Sequence, residues 1–475
     1  MPKKKIKGKF LTFGDVLLIP KRSPVDSRKD IDLSTNIGPF RINLPIISSP
    51  MDTVTESSMA IAMAKNGGLG IIHRFCSIED QKNEVEKVKR KENWIIENPI
   101  TVSPETTLAE ILSLVEKYGF WTYLVVDENK KLLGLISKRD YLFCDDKNKK
   151  VKDLMVPFEK LIVINKKISL EEAKKIFEKY KIEKLPIVDK ERKVLGLITS
   201  KDVENFSNKK TSRDSKGRLL VGAAIGIKGD FLERAQELVR VGVDILVVDV
   251  AHGHLEKTLK AVKTLKSKFP EIPLIAGNVA TPEGVRDLFS AGADVVKVGI
   301  GPGSSCSTRI VTGVGVPQLG ALLWIKERYP KIPIISDGGC KNSGDIVKAL
   351  AAGAHAVMLG NMLAGTDEAP GKVMVVNGKR VKVFRGMSSS FAYERKLKET
   401  NEKAEYIPVS EGAEFGLVPY KGSVSEVLEN IEKGLRSGFS YCGARNLKEL
   451  WKKAEFVEIS LGGLKESGFD NIFLV

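Results

Sequence analysis

The stretch VGVDILVVDVA, residues 241–251, holds a helix exit and a strand in one short run. Gly242 is free to take the left-handed conformation that ends a helix, and the apolar residues after it make a strand-length segment. The exit recurs as AGAD at 291–294 and AGAH at 352–355, each ahead of another apolar run. Working outward from these, eight strands can be placed: 44–51, 68–73, 219–226, 245–251, 273–280, 295–303, 333–339 and 356–363. Most are followed by a glycine or polar turn and then by a helical pattern. Eightfold alternation of this kind predicts an α/β protein, a parallel (β/α)8 TIM barrel. A doubly wound sheet is the alternative, but no early G-x-G-x-x-G with a downstream acidic residue supports one.

At 475 residues the chain is too long for one ordinary core and long enough for an enzyme. With 42% hydrophobic and 29% charged residues it has the composition of a globular protein and not of a disordered or collagen-like one. No apolar run approaches the ~20 residues of a membrane-spanning helix, and the lysine-rich start lacks the apolar core of a signal peptide. A cytoplasmic location is therefore expected. The five cysteines are odd in number and far apart, which argues against a disulfide frame and a thiolate zinc site. A net charge of +16 would permit polyanion binding, but the lysines are interleaved with glutamate along helical stretches. They read as a solvated surface, so nucleic acid is not an expected partner.

Residues 100–140 and 161–202 are two copies of one pattern, with Gly134 and Gly196 at equivalent places. Each reads as a short strand, a helix, two strands joined by a charged turn, and a second helix. The pair resembles tandem cystathionine-β-synthase-type (CBS) domains. The domain expectation is a first barrel segment over 1–93, a regulatory insert over 94–211 in the connection after the second strand, and the rest of the barrel over 212–475. By that resemblance Ser137 with Asp140, and Thr199 with Asp202, would hold the ribose of a regulatory adenine or guanine nucleotide. Helix capping by the same residues is the other reading.

In a barrel the active-site groups lie on loops after the strands, and phosphate is often held after strands seven and eight. Those loops read SDGGC (336–340) and LGNMLAG (359–365), where glycine lets backbone N–H groups approach an anion. Tight turns alone would also use such glycines. The loop after strand six, GIGPGSSCSTRIVTGVGVPQ (299–318), surrounds Cys306 with glycines and hydroxyls. That setting is poor for packing and suits a nucleophile. His252 and His254, after strand four, could activate the thiol or simply serve the turn.

At these residues the chain resembles the IMP dehydrogenase/GMP reductase family. The Cys306 loop carries the resemblance, with SSPMDTVTE (48–56), GGLGIIHR (67–74), DVAHGH (249–254), GNVAT (277–281) and DGG (337–339). The resemblance implies that Cys306 attacks C2 of a purine 5'-monophosphate and that hydride passes between C2 and NADPH or NAD+ through a thioimidate. It places Ser49, Met51, Ser304, Asp337, Gly338, Gly339, Gly360, Asn361, Gly386, Met387 and Gly412 at the nucleotide, with Asp337 on the ribose. Asp249 and Asn278 would face the nicotinamide. Carbonyls of Gly301, Gly303 and Cys306 would hold a monovalent cation, K+. A homotetramer or octamer is the family habit. Asn361 stands where dehydrogenases usually have serine, and Lys297 is a position occupied variably.

The two activities part in the flap, 385–418. RGMSSSFAYERKLKETNEKAEYIPVSEG (385–412) contains no Arg-Tyr pair, the dehydrogenase's source of a hydrolytic base. Phe384 replaces a phosphate-binding tyrosine of dehydrogenases. By resemblance to reductases, Glu411 acts with Thr308 on the leaving ammonia; a solvated carboxylate is the plainer reading of Glu411. TRIVTGVGVPQ, LAGTDEAPG and the paired repeat lean towards dehydrogenase lineage. GMP reductase is the favoured expectation, IMP dehydrogenase the alternative, and a catalytically silent nucleotide sensor a third.

Overall fold

The protein is seen in a computed structural model that describes residues 5–91, 95–96, 99–166, 168–206, 210–390 and 409–467. The boundary expected between 93 and 94, and residues 391–408 of the flap, lie outside the described residues. The chain divides into two compact units, 1–91 with 210–475, and 92–209. Lys210 and Thr211, assigned above to the insert, are bonded to the barrel. Asn43 Nδ2 donates to the Lys210 carbonyl at 3.0 Å, and Thr211 Oγ1 donates to the Lys65 carbonyl at 3.4 Å.

The first unit is a closed eight-stranded barrel. Its strands are β1 (Ile46–Ser48), β2 (Leu69–Ile72), β3 (Val221–Ile225), β4 (Ile245–Asp249), β5 (Leu274–Val279), β6 (Val295–Val298), β7 (Ile334–Asp337) and β8 (Ala356–Leu359). Every neighbouring pair is parallel, and β8 closes on β1 with Met358 opposite Ile47. The expected barrel is present, with each of the eight strands where the apolar runs placed it. Residue parity sorts two cores. Ile245 and Val247 of β4 point inward with Ile47, Ile275 and Met358, while Leu246 and Val248 face the surrounding helices. Burying each such side chain contributes about 1.5–3 kcal/mol, so an inward Val247 exchanged for a charge would break the wall.

The helix exits behave as read: Gly242, Gly292 and Gly353 have φ of +89°, +112° and +101°. GNVAT ends in Thr281, whose hydroxyl accepts the Gly284 N–H and caps the helix Pro282–Ser290, with proline at its first turn. After the barrel closes, three antiparallel strands follow: β9 (Met374–Val376), β10 (Lys379–Phe384) and β11 (Gly416–Pro419). β10 delivers residues 385–390, and β11 follows residues 409–415.

In the second unit the repeat is visible as two matching hairpins. Thr122–Val126 pairs with Leu132–Ser137, and Lys184–Val188 with Val194–Thr199. Gly134 faces Val125 and Gly196 faces Ile187, each next to a register shift. The helices Leu108–Tyr118 and Leu170–Tyr180 both begin in a capping box, Thr107 with Glu110 and Ser169 with Glu172.

Candidate active site

The loop after β6 is tied to residues 411–413. Ser307 N–H donates to the Glu411 carbonyl at 2.8 Å, Ala413 N–H to the Ser305 carbonyl at 2.8 Å, and Cys306 faces Gly412 in an antiparallel bridge. The return strand is pinned in turn by Gly386 N–H on the Ala413 carbonyl at 2.9 Å and Glu411 N–H on the Ser388 carbonyl at 3.0 Å. Glycine is required here for contact: a Cβ on Gly386 would stand 2.7 Å from the Gly412 Cα.

This stitching aligns three side chains. Cys306 Sγ donates to Thr308 Oγ1 at 3.1 Å, and Thr308 Oγ1 donates to Glu411 Oε2 at 2.8 Å. A thiol, a hydroxyl that both accepts and donates, and a carboxylate form a chain along which a proton can move. Neither histidine after β4 takes part. His254 Nε2 bonds Asp287 at 2.9 Å, and His252 is exposed.

Beneath the loop lies a charged cluster in the barrel mouth. Lys297 is 1% exposed, and its ammonium bonds Asp249 at 2.5 Å and Asp337 at 3.0 Å. Asn278 Nδ2 donates to Asp337 at 2.9 Å and to the Gly299 carbonyl at 2.8 Å. Burial works against the charge on Lys297, but Asp249 and Asp337 outweigh it and hold the ammonium above the usual lysine range. Asn278 Oδ1 is buried without a partner. Lys297 was passed over in the sequence as a variable position, although parity would have found it. In VVKV the buried Val295 points inward, so the lysine two residues on does too.

Beside the cluster is a cavity of about 200 Å³, lined by Ser49, Met51, Ser304, Asp337, Gly338, Gly339, Gly360 and Asn361, among others. These eight of the expected nucleotide residues converge there; Gly386, Met387, Gly412 and Cys306 are not among its lining residues. Ser49 Oγ is buried and has no partner. Lys421 Nζ donates to the carbonyls of Asn361 and of Met362, the latter at 3.1 Å, and fixes the loop after β8; its own burial lowers its pKa. Met387 Sδ accepts the Asp52 N–H at 3.4 Å. The Asp52 carboxylate is clamped by Arg385 Nε at 3.0 and 3.1 Å, with a further contact from Nη2. That pair, unforeseen from the sequence, fixes the start of the flap to the loop after β1.

The remaining expected residues are placed as follows. The Gly303 carbonyl accepts the Cys306 N–H at 3.1 Å, whereas those of Gly301 and Cys306 accept no hydrogen bond among the described residues. In the second unit Ser137 donates to Asp140 at 2.7 Å and Thr199 to Asp202 at 2.5 Å. Both pairs thus engage each other in the manner of helix caps.

Fold and site together define a (β/α)8 enzyme whose polar side chains gather at the carboxyl ends of the strands. Residues 10–469 match the IMP dehydrogenase/GMP reductase domain, and the chain belongs to that family. It is an NAD(P)-dependent oxidoreductase of a family that acts on purine 5'-monophosphates. It is 49% identical over 476 residues to an inosine-5'-monophosphate dehydrogenase of Nitrosopumilus maritimus, covering 98% of this chain and 99% of that one. It is 52% identical over 475 residues to that of Aquifex aeolicus, covering 98% and 96%. A crystal structure of a cysteine-to-alanine GMP reductase from Trypanosoma brucei, in complex with guanosine 5'-monophosphate, superposes with a TM-score of 0.91. The two chains are 43% identical, with 98% of each covered. No helix among the described residues is long and apolar enough to cross a membrane.

Proposed function

We propose that the protein is a GMP reductase, converting GMP and NADPH to IMP, ammonia and NADP+. The observation that carries this reading is the Cys306–Thr308–Glu411 chain, together with the lack of an Arg-Tyr pair in residues 385–412. In this reading the Cys306 sulfur adds to C2 of GMP, and the relay delivers a proton to the departing amino group. Ammonia leaves and a thioimidate remains. NADPH supplies hydride to C2, and the C–S bond then breaks to give IMP and return the sulfur to Cys306.

Asp337 holds the ribose, the glycine cavity the rest of the nucleotide, and Asp249 with Asn278 the nicotinamide side. The partnerless Ser49 Oγ and Asn278 Oδ1 suit these roles, being buried polar atoms left for a ligand to satisfy. A K+ ion would use hard carbonyl oxygens, and the Gly301 and Cys306 carbonyls are available for one. In the same reading residues 92–209 are a CBS pair that binds a regulatory nucleotide at Ser137–Asp140 and Thr199–Asp202, and the enzyme is a cytoplasmic homotetramer or octamer.

The second reading, IMP dehydrogenase, is favoured by the names of the relatives at 49% and 52% identity. Purified protein given GMP with NADPH, and separately IMP with NAD+, decides between them through the absorbance of the reduced nicotinamide. Faster oxidation of NADPH is expected. Steady XMP formation at an equal or higher rate would overturn the proposal, and Cys306→Ala should be inactive in either direction.

A further inference from the structure

One residue lining the glycine cavity is a lysine that the reaction above leaves unused. Lys341 lines its wall with Gly338, Gly339, Asn361 and Phe384. Its backbone N–H is fixed by Asp345 Oδ2 at 3.0 Å, while its ammonium has no partner among the described residues. Gly338 and Gly339 have φ of +88° and +89°, the left-handed region that favours glycine. The nine-residue helix Ser343–Ala351 starts two residues beyond Lys341, with Asp345 in its first turn. Ser49 Oγ, buried and partnerless, faces the same space. Two acids adjoin this wall and both are already engaged, Asp345 by the Lys341 backbone N–H and Asp337 by Lys297 at 3.0 Å.

A purine monophosphate carries nearly two negative charges on its phosphate. Two lining positions that could hold hydroxyl donors, 361 and 384, are asparagine and phenylalanine here. Phenylalanine offers nothing to an anion, and the backbone and Ser49 supply only neutral donors. We propose that Lys341 is the charged ligand of the nucleotide's 5'-phosphate and makes the site select monophosphates over nucleosides by charge. This rests on the nucleotide reading above.

The test uses the full chain as wild type, Lys341→Met and Lys341→Arg, with calorimetric binding of GMP, IMP and inosine alongside steady-state kinetics. Lys341 is exposed, so neither substitution opens the core. Loss of one charge-assisted contact, partly screened by solvent, should raise KM and Kd for the monophosphate about tenfold. Inosine binding should be unaffected and kcat should move less than twofold. The salt dependence of KM should flatten in Lys341→Met and survive in Lys341→Arg. Unchanged monophosphate affinity and salt dependence in Lys341→Met, with wild-type binding intact, would overturn this assignment alone. Wild-type protein that bound neither GMP nor IMP would overturn the nucleotide reading with it.

Discussion

Replacing Lys297 by methionine removes the cation that Asp249 and Asp337 share and keeps the buried stem filled. At an effective dielectric of about 20, unit charges about 3 Å apart attract by roughly 5 kcal/mol. The separations of 2.5 and 3.0 Å supply two such contacts. Desolvation of the three groups cancels most of that attraction, and breaking a buried pair by removing one partner costs about 3–5 kcal/mol. The expected outcome is a lower denaturation midpoint and a kcat/KM reduced about 100-fold at neutral pH. Lys297→Arg, which can still bond both carboxylates, should keep the wild-type profile. Denaturant melts and steady-state kinetics on the three proteins are sufficient. A methionine variant with wild-type stability and wild-type kcat/KM would refute the argument that the two carboxylates depend on this shared cation.

Glu411→Gln should slow GMP reduction about 100- to 1,000-fold, the scale of general acid–base help, while hydride transfer from IMP changes less; stopped-flow absorbance of the nicotinamide separates the two. A chain lacking residues 92–209, with Lys91 joined to Lys210 by a short Gly-Ser linker, should stay soluble and turn over GMP, because the barrel closes without that unit; its rate should no longer respond to added adenine or guanine nucleotides. His355 packs against Trp451 with ring centroids 4.7 Å apart, and burial, then the nearby Lys326, lowers its pKa from 6.5 to about 4. The unfolded chain therefore binds the proton first as pH falls below 6.5, and stability is lost progressively down to about pH 4, by up to about 3 kcal/mol. His355→Phe should flatten the acid side of a stability-against-pH curve, and an unchanged slope would discount this histidine.

The barrel could be read because its signals are local. Gly242, Gly292 and Gly353 mark helix exits by conformation, and short apolar runs mark strands, so neither depends on distant residues. Cys306, Thr308 and Glu411 could be named because loop composition and resemblance single them out. That they form one hydrogen-bonded chain depends on Ser307 meeting Glu411 across more than a hundred residues, and no local pattern carries such a distance. The Arg385–Asp52 clamp was hidden for the same reason, since each partner looks like an ordinary surface charge until the loops after β1 and β10 meet. Lys297 differs: noted in the sequence only as a position occupied variably, it is placed inward by strand parity, two residues from the buried Val295.

The pinning of residues 386–388 to 411–413 has a consequence for how such an enzyme can change. Between those pins the chain leaves and returns through one narrow neck, and the alignment of Thr308 with Glu411 is set at the neck. Substitutions between residues 391 and 408 can therefore leave Cys306, Thr308 and Glu411 aligned. The neck acts as a socket that holds the nucleophile's loop independently of the sequence carried beyond it.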